Sequence, residues 1–69
     1  MVFTINDLCD ACSSGDIQRV RDIVNSKEVD INDSDYDGYT SLMWAMDDNQ
    51  ADIVRFLLTQ PHTKITKFV

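Results

Sequence analysis

Displaced by 34 residues, the second half of this 69-residue chain lies over the first without a gap. Leu8 falls on Leu42, Ala11 on Ala45, Val20 on Val54 and Arg21 on Arg55; Ile23 and Val24 fall on Leu57 and Leu58, Ile31 on Ile65, and Gly15 on Asn49. An internal period of this size marks stacked helical repeats, in which each unit buries its apolar face only against a neighbour. Such chains hold partners and seldom build catalytic sites. Two units fall short of the roughly three that independent stability usually needs.

A chain of 69 residues makes one small domain. At that size a single core rarely supplies more than about 3–5 kcal/mol without a metal, disulfides or oligomerisation. The net charge is −6, which repels nucleic acid and anionic membranes. It admits a basic partner, although acidity also serves solubility alone. No apolar run approaches the roughly 18 residues of a membrane span. The start, Met1-Val2-Phe3-Thr4, has no signal-peptide character. Two cysteines are too few for a secreted disulfide framework. An intracellular protein, cytoplasmic or nuclear, is expected.

Helix signals come in pairs. Asn6 or Thr4 can cap a short helix, Asp7 to Cys12, that stops at Ser13-Ser14-Gly15. Asp16 caps a second, Ile17 to Ser26, with Val20, Ile23 and Val24 on one face. The Asp-rich stretch Glu28 to Tyr39 is too polar and Gly-broken for a helix and predicts an extended turn or hairpin. In the second unit Thr40 caps Ser41 to Asp47, Asp48-Asn49-Gln50 breaks it, and Ala51 to Gln60 forms the longer helix, stopped by Pro61.

Asp35-Tyr36-Asp37-Gly38-Tyr39-Thr40-Ser41-Leu42-Met43-Trp44-Ala45, then Ile53-Val54-Arg55-Phe56-Leu57-Leu58, resembles the ankyrin repeat, whose pattern is D-x-x-G-x-T-P-L-H-x-A, a polar break and I-V-x-L-L-L. Ser41 and Met43 replace the usual Pro and His, and Asn49 the helix-breaking Gly. The first unit is more divergent but keeps Asp30-Ile31-Asn32 for the family's D-V-N. The resemblance implies an all-α fold: two stacked helix-turn-helix repeats, about 4–34 and 35–66, joined by a hairpin-type loop in a single unit over 1–69. It also implies a protein-binding surface on the hairpin tip and first helices: Tyr36, Asp37, Tyr39, Asp47 and Asp48, with Ser13 and Ser14 weaker. That surface is acidic with two exposed aromatic anchors, so a basic protein partner is expected.

The units differ in an informative way. Arg19 and Asp22 stand where the second unit has Ile53 and Phe56. If those positions face the preceding repeat, the first unit is polar there as an N-terminal cap must be. The other end is unclosed. Val54, Leu57 and Leu58, with Ile65, Phe68 and Val69, are expected to form an uncovered apolar face and a route to homo-oligomers.

Other constellations carry less. Cys9-Asp10-Ala11-Cys12 is a C-x-x-C, but no β-α-β pattern surrounds it, and His62 is the only further Cys or His for a zinc site. Two small packing thiols are expected. Asp33-Ser34-Asp35-Tyr36-Asp37-Gly38 opens as an EF-hand loop does. Its closing Glu is replaced by Trp44, so binding at micromolar calcium is not expected and a weak calcium binder is the alternative. Trp44 is expected to pack against the neighbouring helix. Asp30-Ile31-Asn32, downstream of Val24, looks like the asparagine-hydroxylation sequence of many ankyrin repeats, although a simple turn asparagine accounts for it. No nucleophile–base set, phosphate loop or paired carboxylate suggests an enzyme, a cofactor or a metal.

Overall fold

The computed structural model describes residues 2–60. They form four helices: α1 (Ile5–Ser14), α2 (Ile17–Ser26), α3 (Ser41–Asp47) and α4 (Ala51–Leu58). Helix α1 packs on α2 and on α3, α3 packs on α4, and α2 meets α4. Two helix pairs are therefore stacked, with α1 and α3 in one layer and α2 and α4 in the other. The described residues hold no strand, only an isolated antiparallel bridge between Ser34 and Thr40. The all-α expectation and the hairpin-type connection both stand.

Local chemistry sets the helix limits. The Thr4 hydroxyl accepts the Asp7 N–H at 3.3 Å, and the Asp7 carboxylate accepts the Thr4 N–H at 2.9 Å. This reciprocal box satisfies two donors that a helix start leaves orphaned. Thr4 is thus the cap, and Asn6 lies inside the first turn. Gly15 (φ 81°) closes α1 in the left-handed region, and Asn49 (φ 56°) does the same after α3. Asp16 accepts the Arg19 N–H at 3.2 Å and caps α2. Thr40 caps α3 through the Met43 N–H at 3.2 Å. Helix α4 ends at Leu58, two residues before the expected Gln60.

The core consists of Leu8, Ala11, Cys12, Val20, Ile23, Leu42, Ala45, Ile53 and Leu57. Three period-related pairs are buried in both units: Leu8 with Leu42, Ala11 with Ala45, and Ile23 with Leu57. Leu57 corrects an expectation. It is fully buried in the core cluster, as Ile23 at the equivalent position is, and not part of an uncovered end. Val20 is fully buried, but Val54 at the same position is half-buried, and Leu58 keeps 49% of its surface exposed. Met46 is 45% exposed beside them. Met46, Asn49, Gln50, Ala51, Val54 and Arg55 line an open cleft of about 400 Å³. Ile65, Phe68 and Val69, also assigned to this face, and His62 lie outside the described residues.

At the opposite end Arg19 and Asp22 are exposed, whereas Ile53 is buried and Phe56 packs against the core. The Arg21 guanidinium lies 5.5 Å from the Phe56 ring centre, linking α2 to α4. Further links join the pairs: the Ser13 hydroxyl donates to Asp48 Oδ2 at 2.6 Å, and the Gln50 amide donates to the Ser13 carbonyl at 3.3 Å. Ser41, at the usual Pro position, is fully buried, and its hydroxyl donates to the Ile31 carbonyl at 3.5 Å.

Candidate partner-binding surface

The hairpin is organised by one side chain. Asp35 Oδ1 accepts the N–H groups of Asp37 (2.9 Å) and Tyr39 (3.0 Å), and Oδ2 accepts the Trp44 indole N–H at 2.7 Å. The Asp35 backbone pairs with both sides of the turn, to the Tyr39 carbonyl at 2.9 Å and from the Gly38 N–H at 3.0 Å. Gly38 takes φ 80°, which glycine adopts without strain. The Trp44 hydrogen bond, with the two backbone donors, holds the Asp35 carboxyl below its ordinary pKa.

This geometry redistributes the aromatic residues. Tyr36 is 97% exposed at the tip, with exposed Asp37 beside it. Tyr39, expected to be exposed, is half-buried, because its ring stacks on Trp44 with centres 4.8 Å apart and planes at 40°. Trp44 packs on the core as expected, but its polar edge turns to the hairpin rather than to a neighbouring helix. Asp47 and Asp48 are exposed at the far end of α3, roughly 10 Å away by helical rise. Asp48 also holds Ser13; Ser14 is exposed and donates back to the Ala11 carbonyl at 3.3 Å. The five expected residues therefore form two patches on one layer, the hairpin tip and the end of α3.

Charge separates between the layers. Helices α1 and α3 and the hairpin turn over 33–39 carry Asp7, Asp10, Asp33, Asp35, Asp37, Asp47 and Asp48 and no Lys or Arg. Among the described residues every cation, namely Arg19, Arg21, Lys27 and Arg55, lies on α2, its C-cap or α4. A second feature escapes sequence reading. Ile5 and Asn6 of α1 meet Ser34, Asp35 and Tyr36 across a cleft of about 260 Å³. Its walls are about 30 residues apart in the chain, and no local pattern announces their approach.

The calcium alternative meets a chemical obstacle. A cation needs carboxylate lone pairs, and three of those on Asp35 already face N–H donors, while Asp33 Oδ1 accepts the Ser34 N–H at 2.9 Å. Among the described residues no group of three His, Cys, Asp or Glu is placed to hold a metal ion. Cys9 and Cys12 are free and buried. Burial pushes both thiols up to about 12, with nearby carboxylates adding to the effect at Cys9. The Cys9 thiol faces the Tyr39 carbonyl at 3.9 Å. Asn32 is half-buried in a turn where its N–H reaches Asp30 Oδ1 at 2.9 Å.

Comparison with known proteins gives a consistent result. The sequence pattern described as ankyrin repeats, in three copies, matches residues 6–68. The chain is similar to palmitoyltransferase AKR1 of Debaryomyces hansenii, 36% identical over 88% of this chain and 7% of that protein. It is also similar to the palmitoyltransferases of the same name from Schizosaccharomyces pombe, 38% identical over 70% of this chain and 8% of that protein, and Candida glabrata, 35% over 72% and 7%. The chain thus spans less than a tenth of the length of these relatives. No solved structure matches. Among the described residues no helix is long and apolar enough to cross a membrane.

Proposed function

Because the chain belongs to the ankyrin-repeat family, we propose that it is a protein-binding module with no chemistry of its own, working inside the cell without a cofactor. The binding surface is the α1–α3–hairpin layer, with Tyr36, Asp37, Asp47 and Asp48 in contact with the partner and Tyr39 bracing the tip through Trp44. The partner is basic. One observation carries this: that layer presents seven carboxylates and no cation, beside an exposed tyrosine. Aromatic anchors supply affinity, and charge complementarity supplies approach rate and selectivity. The acyl-transfer activity in the relatives' names is not extended to this chain. It spans too little of them, and its described thiols are buried and protonated at neutral pH.

Titrating the ¹⁵N-labelled chain with a lysine-rich peptide tests the proposal. Amides of residues 33–40 and 43–48 should shift, less so at high salt. Shifts centred instead on the Arg19–Asp22 face would overturn it.

A second reading, self-association, is favoured by the exposure of Leu58 and Met46 on the α3–α4 pair. In that reading Val54, Leu58 and Met46 meet a second copy, and Leu57 contributes only through the core.

A further inference from the structure

We infer that the cleft between the start of α1 and the hairpin is an arginine-accepting pocket, which takes one guanidinium of a basic partner between Ile5 and Asn6 on one side and Ser34, Asp35 and Tyr36 on the other. This rests on the reading of the α1–α3–hairpin layer as the binding surface and deepens it. The cleft, at about 260 Å³, is smaller than the roughly 300–1,000 Å³ of small-molecule sites and suits a single long side chain. Its walls are of three kinds. Ile5 offers an aliphatic surface for methylene groups. Tyr36, 97% exposed and engaged with nothing that would account for a large aromatic in water, offers a ring face. Asp35, Asn6 and Ser34 offer oxygens.

The hydrogen-bond inventory separates arginine from lysine. A carboxylate has about four lone-pair sites. Oδ1 of Asp35 accepts two N–H groups and Oδ2 accepts one, so a single site on Oδ2 is open. A bidentate fork onto Asp35 is therefore excluded. A guanidinium carries five donors in one plane, so it can give one to Oδ2 and another to the Asn6 or Ser34 oxygen while that plane lies on the tyrosine ring. An ammonium is a compact, strongly hydrated point charge that gains less from a ring and cannot divide its donors in one plane. Because Asp35 is fixed by the turn and the indole, little ordering cost falls on binding.

The test is a titration of the ¹⁵N-labelled full chain with three peptides of one frame, acetyl-GSXGSXGS-amide, where X is arginine, lysine or citrulline. The arginine peptide should shift the amides of Ile5, Asn6, Ser34, Asp35 and Tyr36 and bind several-fold more tightly than the lysine peptide. The citrulline peptide, planar but neutral, should bind more weakly than either. Tyr36→Ala changes a residue with no packing role; it should weaken the arginine peptide about three- to fivefold and narrow its lead over lysine. Equal binding of the arginine and lysine peptides, unaffected by Tyr36→Ala, would overturn the pocket and leave the acidic-surface reading standing. Absence of shifts on α1, α3 and the hairpin with both cationic peptides at millimolar concentration would overturn both.

Discussion

Asp35 shows how much a single carboxylate decides here. Its depressed pKa makes the turn a source of stability that is present above the ordinary carboxylate range, near pH 4, and lost as pH falls below it. Trp44→Phe deletes the indole donor and keeps most of the packing. The Asp35 carboxyl should then titrate at a higher pH, as read from its carboxyl carbon resonance. The thiols act with the opposite sign. Cys9 and Cys12 are neutral at pH 7 in the folded and unfolded chain alike. As pH rises past about 9 the unfolded thiols ionise first, while the folded ones wait until about 12. Stability should therefore fall across that window. Replacing both by Ala should remove this alkaline loss despite some cost in packing, as read from denaturant midpoints at several pH values. At neutral pH thiol reagents should label the native chain far more slowly than the unfolded one.

Helix ends are where the sequence spoke most clearly and where it was also overruled. Thr40, Asp16 and Gly15 announce their roles because each cap residue has a specific side chain or backbone freedom. The choice of Thr4 over Asn6 turned on Asp7 reaching back, which only the reciprocal geometry reveals. Leu57 was misplaced because the repeat period says which positions are equivalent and not which way each one points. Tyr39 was misplaced because its stacking partner Trp44 is on the next helix rather than in the turn. The cleft at Ile5 and Tyr36 was illegible, since it arises from packing one unit's helix start against the other unit's hairpin. Gly15 carries a prediction at this scale. It has φ 81°, and a Cβ there would stand 2.8 Å from the Gln50 side-chain oxygen. Gly15→Ala should cost roughly 1–2 kcal/mol from the left-handed backbone, read as a lower thermal midpoint. Lys27 (φ 60°) presents the reverse case: Lys27→Gly at the end of α2 should stabilise by about 0.5–1 kcal/mol.

At the scale of the whole molecule the two ends are unequal. The Arg19–Asp22 face is polar and exposed, while at the other end of the described helix stack Met46 and Leu58 are exposed and Val54 is half-buried. Covering apolar area contributes about 25 cal/mol per Å², which matters to a domain whose total stability is only a few kcal/mol. Under the self-association reading, the thermal midpoint of the 69-residue chain should rise with protein concentration and the mass by sedimentation should exceed that of one copy. Leu58→Asp should abolish both effects and Arg19→Ala neither. A concentration-independent transition in a monomeric sample would remove that reading. The division of charge has a further consequence. With seven carboxylates and no cation on α1, α3 and the turn over 33–39, and Arg19, Arg21, Lys27 and Arg55 against Asp16, Asp22 and Asp52 on α2, its caps and α4, the described residues form an electric dipole. In a cationic partner's field such a body turns before it touches, so the acidic layer leads the encounter and fewer collisions arrive backwards.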